Sequence, residues 1–248
     1  MSTIRAIDRA FSILRIIAKH PQGVGVNAIA QAVNLPKSTT SRILSTLENR
    51  EVVSRTEANQ FQLGPEVTRL AGQQPFSQNL AILARPILQE IADTTGEAAA
   101  LCILDDLQVY YLDHVQSQHA VRVRDWTGAH IPLHVVAAGK VFLAYGSDEL
   151  VAAAVQKPLS AYTNRTITSP QALKAHLAQI RDQGYAIGDE EFEEGVIGLA
   201  APIHDANNQV IAAINVYGPK FRLQEPGRQQ EIVTVMVKAA GNLAQKLH

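Results

Sequence analysis

Asn34-Leu35-Pro36 constrains this chain more tightly than any other feature, because it forces a sharp turn between two helical runs and fixes where the second one starts. Proline has no amide to donate and is tolerated only in a first helical turn. The run Val26–Val33 must therefore end before it, and a new helix can begin at about Pro36-Lys37 and continue to Asn49. Upstream, Ile7, Ala10, Phe11, Leu14 and Ile17 fall at i, i+3, i+4, i+7 and i+10. That spacing predicts a first helix over about residues 5–19 with those side chains as its apolar stripe. Pro21, Gly23 and Gly25 end it. On the third helix Thr40, Ile43, Leu44 and Leu47 face one way, and Ser38, Ser41, Arg42 and Ser45 the other. Two short extended runs follow, Val52–Arg55 and Phe61–Leu63, separated by Thr56–Gln60. Three helices and a hairpin of this size read as a winged helix-turn-helix over residues 1–64.

Gly64-Pro65 punctuates the chain, and a polar helical stretch from Glu66 to Gly72, then Gln73-Gln74-Pro75, reads as a linker helix over 65–76. The rest, 77–248, mixes extended runs (Ala98–Leu104, Val109–Val115, Ala120–Val123, Val196–Ile203, Val210–Val216) with helical ones at about 77–94, 136–145, 148–156, 170–182 and 226–247. That order predicts an α+β domain built around one central antiparallel sheet. With 46% hydrophobic and 18% charged residues the chain can bury proper cores, which excludes a disordered tail or a fibre. Its one cysteine, Cys102, has no partner for a disulfide and no zinc-ligand spacing, as expected in a reducing compartment. The amino terminus lacks a signal-peptide core, and no apolar run reaches the roughly 18–20 residues of a membrane span. The expectation is a cytoplasmic protein without a membrane partner.

The formal net charge of -1 hides an asymmetry: residues 1–60 hold eight basic and four acidic side chains, which leaves the remainder at -5. A basic amino-terminal unit on an acidic body suits contact with a polyanion. Because the major groove of DNA admits one helix, whose first residues meet base edges, the candidates are Lys37, Ser38, Thr39, Ser41 and Arg42. Arg42 is the candidate for a guanine, Lys37 for phosphate, and Arg55 on the wing for phosphate or the minor groove. The plainer account is that the hydroxyls cap and solubilise a surface helix, a role Ser and Thr favour.

The run Ile29-Ala30 … Leu35-Pro36-Lys37-Ser38-Thr39-Thr40-Ser41-Arg42-Ile43-Leu44-Ser45-Thr46-Leu47 resembles the reading head of the IclR family of bacterial regulators. Downstream, His130-Ile131-Pro132-Leu133-His134, Ala138-Gly139-Lys140-Val141-Phe142-Leu143-Ala144, Tyr162-Thr163 with Thr166-Ile167, Gly184-Tyr185-Ala186, Glu190-Glu191, Glu194-Gly195-Val196 and Ala200-Ala201-Pro202-Ile203 resemble that family's effector domain in order and spacing. The resemblance implies a GAF-like sensor domain with a pocket for a small carboxylate-bearing or aromatic effector. It also implies a homodimer or homotetramer on double-stranded operator DNA, and no cofactor. Carried over position by position, it places the pocket at Leu133, Ala137, Ala138 and Gly139, at Gly188 and Asp189, and at Gly198, Asn215 and Tyr217. Where the family often has aspartate at 188, cysteine at 198 and serines at 215 and 217, this chain has Gly188, Gly198, Asn215 and Tyr217. An anion there would be held by backbone amides at the start of the 136–145 helix, where the dipole and unpaired N–H groups favour negative charge. Gly139 and its neighbouring alanines would allow close approach, and Trp126 and Phe192 would close over an apolar part. A core or dimer-interface aromatic is the plainer account of Trp126.

Two rival readings remain at this level. His114, His119, His130, His134 and the acids Glu190, Glu191, Glu193 and Glu194 are residue types used in metal or acid-base catalysis. Pro132 interrupts the His130/His134 spacing, however, and no nucleophile elbow or phosphate loop accompanies them. The glutamates read as a solvated loop face or part of an interface. Alternatively, the winged helix binds a protein instead of DNA, since fold alone does not fix function.

Overall fold

The computed structural model describes residues 4–71 and 76–247, and the chain divides into two compact units, Met1–Gln78 and Asn79–His248. Gly72, Gln73, Gln74 and Pro75 of the expected linker lie outside the described residues.

In the first unit, helices α1 (Arg5–Ala18), α2 (Val26–Ala32) and α3 (Lys37–Asn49) precede the hairpin β1 (Val53–Arg55) and β2 (Phe61–Leu63), and α4 (Pro65–Ala71) follows. The turn after α2 works as its residues dictate. Asn34 takes a left-handed φ of 53°, the Leu35 amide donates to the Ala30 carbonyl, and Pro36 is the N-cap of α3. The small core joins Ile13 and Ile17 of α1 to Val24, Ile29, Leu44, Val53 and Phe61. This corrects the expected stripe on α1: Ile7 and Phe11 are 51% and 59% exposed. At about 100° per residue the buried arc runs through Ile13, Ile17, Ala10 and Leu14, leaving Ile7 and Phe11 on its edge.

Helix α5 (Phe76–Thr95) leads into the second unit, whose six strands are β3 (Ala98–Asp105), β4 (Gln108–Val115), β5 (His130–Pro132), β6 (Ala186–Asp189), β7 (Val196–His204) and β8 (Val210–Pro219). They form one antiparallel sheet in the order β5-β4-β3-β8-β7-β6. The helices are α6 (Ala137–Tyr145), entered through a 3-10 turn at Leu133–Val135, α7 (Asp148–Ala154), α8 (Pro170–Gln183), the single turn α9 (Lys220–Leu223) and α10 (Arg228–Leu247). Alternation along the strands supplies two cores. Ala98, Ala100 and Cys102 of β3 and Ala213 and Tyr217 of β8 face α6 and α8. Ala99, Leu101, Ile214 and Val216 face α5 and α10.

Ala120–Val123 is not a strand: the segment between β4 and β5 is irregular, with Val121 exposed and its carbonyl accepting from Arg222. The edge strands β5 and β6 carry Pro132 and Gly188, residue types that weaken a strand signal. No helix among the described residues is long and apolar enough to cross a membrane.

Candidate functional site

The first unit presents the exposed start of α3. Thr40 is buried and anchors the helix, donating from its hydroxyl to the Pro36 carbonyl, while Leu44 fills the core beneath. The amides of Lys37, Ser38 and Thr39 open the helix and have no intrahelical partner. No acid stands in that first turn, so the positive end of the dipole is not offset. Lys37, Ser38, Ser41 and Arg42 are exposed and Thr39 is half-buried. Neither Lys37 nor Arg42 makes an ion pair among the described residues. Thr39 and Arg42 line a shallow concavity between α1 and α3 together with Arg9 and Ser45. The structure thus brings five of the expected residues onto one surface and adds Arg9, visible in the sequence only as one charge of the basic excess. Arg55 is differently placed. Its guanidinium donates to Glu48 of α3 at 2.9 Å and to Asn59, and lies 4.4 Å over the Phe61 ring, so its charge is partly satisfied by α3 and the wing.

The second unit contains a partly open cavity between the sheet and the start of α6, about 420 Å³ of atom-free space counting its solvent-open side. Its floor is Tyr111 of β4, Gly198 of β7, and Asn215 and Tyr217 of β8. Asn215 and Tyr217 are two apart, so the pleat sends both side chains to this face. Across the sheet Tyr217 pairs with Ala98 on one side and with Gly198 on the other, and Gly198 pairs with Gly188. One large ring thus sits in a row of small residues. A Cβ on Gly188 would lie 3.4 Å from the Ala137 amide nitrogen, and one on Gly198 would lie 3.6 Å from Asn215 Oδ1. The missing side chains are what keep this space open. Val135, Val136 and Ala137 form the roof. Phe192, packed 5.2 Å from both Trp126 and Tyr162, closes the side with Glu193, and the Arg124 guanidinium lies 3.9 Å over Trp126.

Polar groups inside are few. Asn215 donates from Nδ2 to the Tyr111 hydroxyl at 3.2 Å. Asn215 Oδ1, the Tyr217 hydroxyl and Glu191 Oε2 are buried without a hydrogen-bond partner among the described residues. Burial pushes the Tyr217 hydroxyl far above its usual range, so it stays protonated at neutral pH. Beside it His114 stacks at 5.9 Å and meets Asp125 through Nδ1 at 3.2 Å. Burial lowers the pKa of that imidazole although Asp125 pulls the other way.

Glu193 and Glu194 are exposed, as a solvated loop face requires, but Glu191 departs from that reading. It is only 7% exposed and pairs through Oε1 with Lys140, which is fully buried in the middle of α6. Burial drives the lysine down and the carboxylate up, and the pairing opposes both shifts. Glu190, by contrast, joins Asp189, Arg165 and Lys220 in a surface ion network.

Of the expected pocket residues, Trp126, Ala137, Gly188, Phe192, Gly198, Asn215 and Tyr217 line the cavity, and Leu133, Ala138, Gly139 and Asp189 do not. Leu133 and Ala138 are buried in the α6 core. Gly139 is pressed against the Leu133 backbone, so its lack of a side chain serves the turn. Asp189 follows Gly188 on β6, and alternation turns it toward the surface ions. Tyr111 carries no sequence signal for the pocket, and Glu191, part of the Glu190-Glu191 match, reads in sequence as a loop face; each reaches the cavity only through a fold that joins distant segments. The histidines are scattered. His130 pairs with Asp105, His134 meets the Ser160 carbonyl, and no cluster of three metal-ligating side chains occurs among the described residues.

Comparison with known proteins gives a consistent picture. Residues 6–57 match the IclR helix-turn-helix domain, and residues 76–245 match the bacterial transcriptional regulator IclR C-terminal domain. The chain is 34% identical over 241 residues to the transcriptional repressor IclR of Escherichia coli, covering 96% of this chain and 88% of that protein. A solved IclR transcriptional regulator from Silicibacter sp. TM1040 is 28% identical with a TM-score of 0.79, covering 98% of this chain and 95% of that one. An IclR homologue from Microbacterium hydrocarbonoxydans, solved in complex with 4-hydroxybenzoate, is 24% identical with a TM-score of 0.65 and 98% coverage of both chains, a likeness of fold.

Proposed function

The chain belongs to the IclR family of bacterial transcriptional regulators, and from that premise we propose that it binds an operator sequence-specifically and releases or engages it in response to a small carboxylate-bearing or aromatic effector. The observation that carries the DNA half is the start of α3, where Lys37 and Arg42 stand exposed and unpaired beside amides with no helical partner. Such a surface supplies both phosphate attraction and a side chain able to pair bidentately with guanine. The sensing half rests on the cavity between the sheet and α6 with its three buried polar atoms that lack partners among the described residues. That a structural neighbour was solved with a small aromatic acid supports a ligand of similar size.

Two copies would read paired half-sites, so the operator should be a pseudo-palindrome. The effector acts only through a difference in its affinity for two arrangements of the paired sensor domains, which sets the separation of the reading heads. The test is a mobility shift with DNA from upstream of the protein's own gene, run against unlabelled random DNA and over a range of salt. A specific shift that weakens steeply with salt, and that Arg42→Ala reduces by about 1–3 kcal/mol on the specific site alone, is the expected result. No shift with any DNA at low salt would point to a protein partner instead.

A further inference from the structure

We propose that the cavity under α6 takes an uncharged aromatic molecule bearing a hydrogen-bond donor, a phenol or an aromatic amide, and that Glu191 and Asn215 select it against carboxylates of the same shape. This narrows the effector named above and rests on the cavity being its site.

Charge is the first argument. Among the described residues no lysine, arginine or histidine side chain lines the cavity, whereas two acids do, Glu191 inside and Glu193 at the exposed edge. Of the nearby cations, Arg124 is exposed and lies over the Trp126 ring outside the lining, and Lys140 is fully buried and held by Glu191 Oε1, so what the wall offers is the other carboxylate oxygen. An anionic ligand would lose its hydration in a low-dielectric space where Lys140 is already matched by Glu191, and no free cation among the described lining residues offsets that cost.

Hydrogen-bond polarity is the second. Glu191 Oε2 and Asn215 Oδ1 are acceptors on side chains 7% and 3% exposed with no hydrogen-bond partner among the described residues, and the Tyr217 hydroxyl beside them is a buried donor likewise without one, so the site asks for a ligand that both donates and accepts. Asn215 has its donor side engaged by the Tyr111 hydroxyl, which leaves the carbonyl side free. Buried acceptors left unmade are costly, so a ligand that brings O–H or N–H groups gains most, and a carboxylate brings none. At the opposite wall the polarity reverses. The Ala137 amide opens α6, and Gly188 leaves it uncovered, which suits a carbonyl or hydroxyl oxygen. A donor at one end and an acceptor at the other, between the rings of Trp126, Phe192, Tyr111 and Tyr217, match a flat aromatic amide or phenol.

The experiment is isothermal titration of the full-length protein, without DNA, against the matched pairs benzamide and benzoate, and 4-hydroxybenzamide and 4-hydroxybenzoate. Expected is at least tenfold tighter binding of the amide in each pair. Asn215→Leu, with the same branching and number of side-chain heavy atoms, should cut amide affinity tenfold or more and benzoate affinity by clearly less, with a far-ultraviolet circular dichroism spectrum like that of the wild type showing that the fold is kept. Equal or tighter binding of the carboxylates overturns the proposal, and so does binding of none of the four at millimolar concentration. Because the titration contains no DNA, either failure leaves the operator-binding reading standing, and that reading stands or falls on the mobility shift alone.

Discussion

Replacing Gly139 by alanine sets two physical effects of opposite sign against each other. Alanine is the better helix former, and in a helix interior the change from glycine gains about 1 kcal/mol. Gly139, however, lies where α6 crosses the 3-10 turn before it. A Cβ built there would sit 2.2 Å from the Leu133 carbonyl oxygen, 2.5 Å from its Cα and 2.7 Å from its carbonyl carbon. Non-bonded heavy atoms settle at about 3.5–4.0 Å, so turn and helix must separate by roughly 1 Å. The obstacle is backbone and cannot swing away, which puts the strain at about 3 kcal/mol, the upper part of the range for overpacked cores. The net expectation is a loss of about 2 kcal/mol, a melting temperature lower by about 4–8 °C for a unit of this size. Gly241 is the control, because it lies in the interior of α10 and a Cβ there would meet nothing within 4 Å. Gly241→Ala should therefore raise stability by about 0.5–1 kcal/mol. Thermal unfolding followed by far-ultraviolet circular dichroism, on the full chain, compares the two. A Gly139→Ala protein that melts at or above the wild-type temperature would refute the packing argument. The same shift would move Ala137 off the cavity roof, so ligand binding should weaken in parallel.

Three further outcomes rest on the buried pair, a half-buried histidine and the exposed start of α3. Lys140→Met strands the buried Glu191 carboxylate and should cost about 3–5 kcal/mol in chemical denaturation, whereas Lys140→Met with Glu191→Leu should recover most of it; a double variant weaker than either single one would contradict the pairing. His176 is lowered to about 4, first by burial and then by the Lys140 charge. Between pH 6.5 and 4 the unfolded chain therefore takes up a proton that the folded one refuses, and stability falls on acidification. The imidazole is half-buried, so screening trims this to about 1–2 kcal/mol, and His176→Gln should flatten that part of the pH profile; identical profiles would exclude the effect. Lys37→Ala should weaken binding to specific and random DNA alike and reduce the slope of log affinity against log salt by about 1, and a loss confined to the specific site would instead make Lys37 a base contact.

Local chemistry made the first unit readable. Pro36 cannot sit inside a helix, Asn34 tolerates the left-handed turn, and Thr40 and Leu44 are spaced to anchor α3, so the helices and the hairpin follow from neighbours in sequence. The two strong sheet cores were legible for a similar reason, since β3, β7 and β8 are long apolar runs. The apolar face of α1 was less so: Ile7 and Phe11 carry the right periodicity, but which arc of a helix is buried depends on what packs against it.

Sequence pattern sets the order of the longer helices and of strands β3, β4, β7 and β8, marks the exposed start of α3 and, through resemblance, the general place of a pocket, whereas it takes Ala120–Val123 for a strand and misses β5 and β6. Only the tertiary structure decided which side chains that pocket owns. Strand register brings Tyr111, Gly188, Gly198, Asn215 and Tyr217 together from segments up to about a hundred residues apart, and no local pattern encodes register between strands so distant in the chain. The Lys140–Glu191 pair shows the same limit most sharply. An apolar helix with one lysine looks like a helix with one solvated face, and a run of glutamates looks like a solvated loop. Both charges are nevertheless buried, because the fold places them against each other and each lowers the cost of removing the other from water.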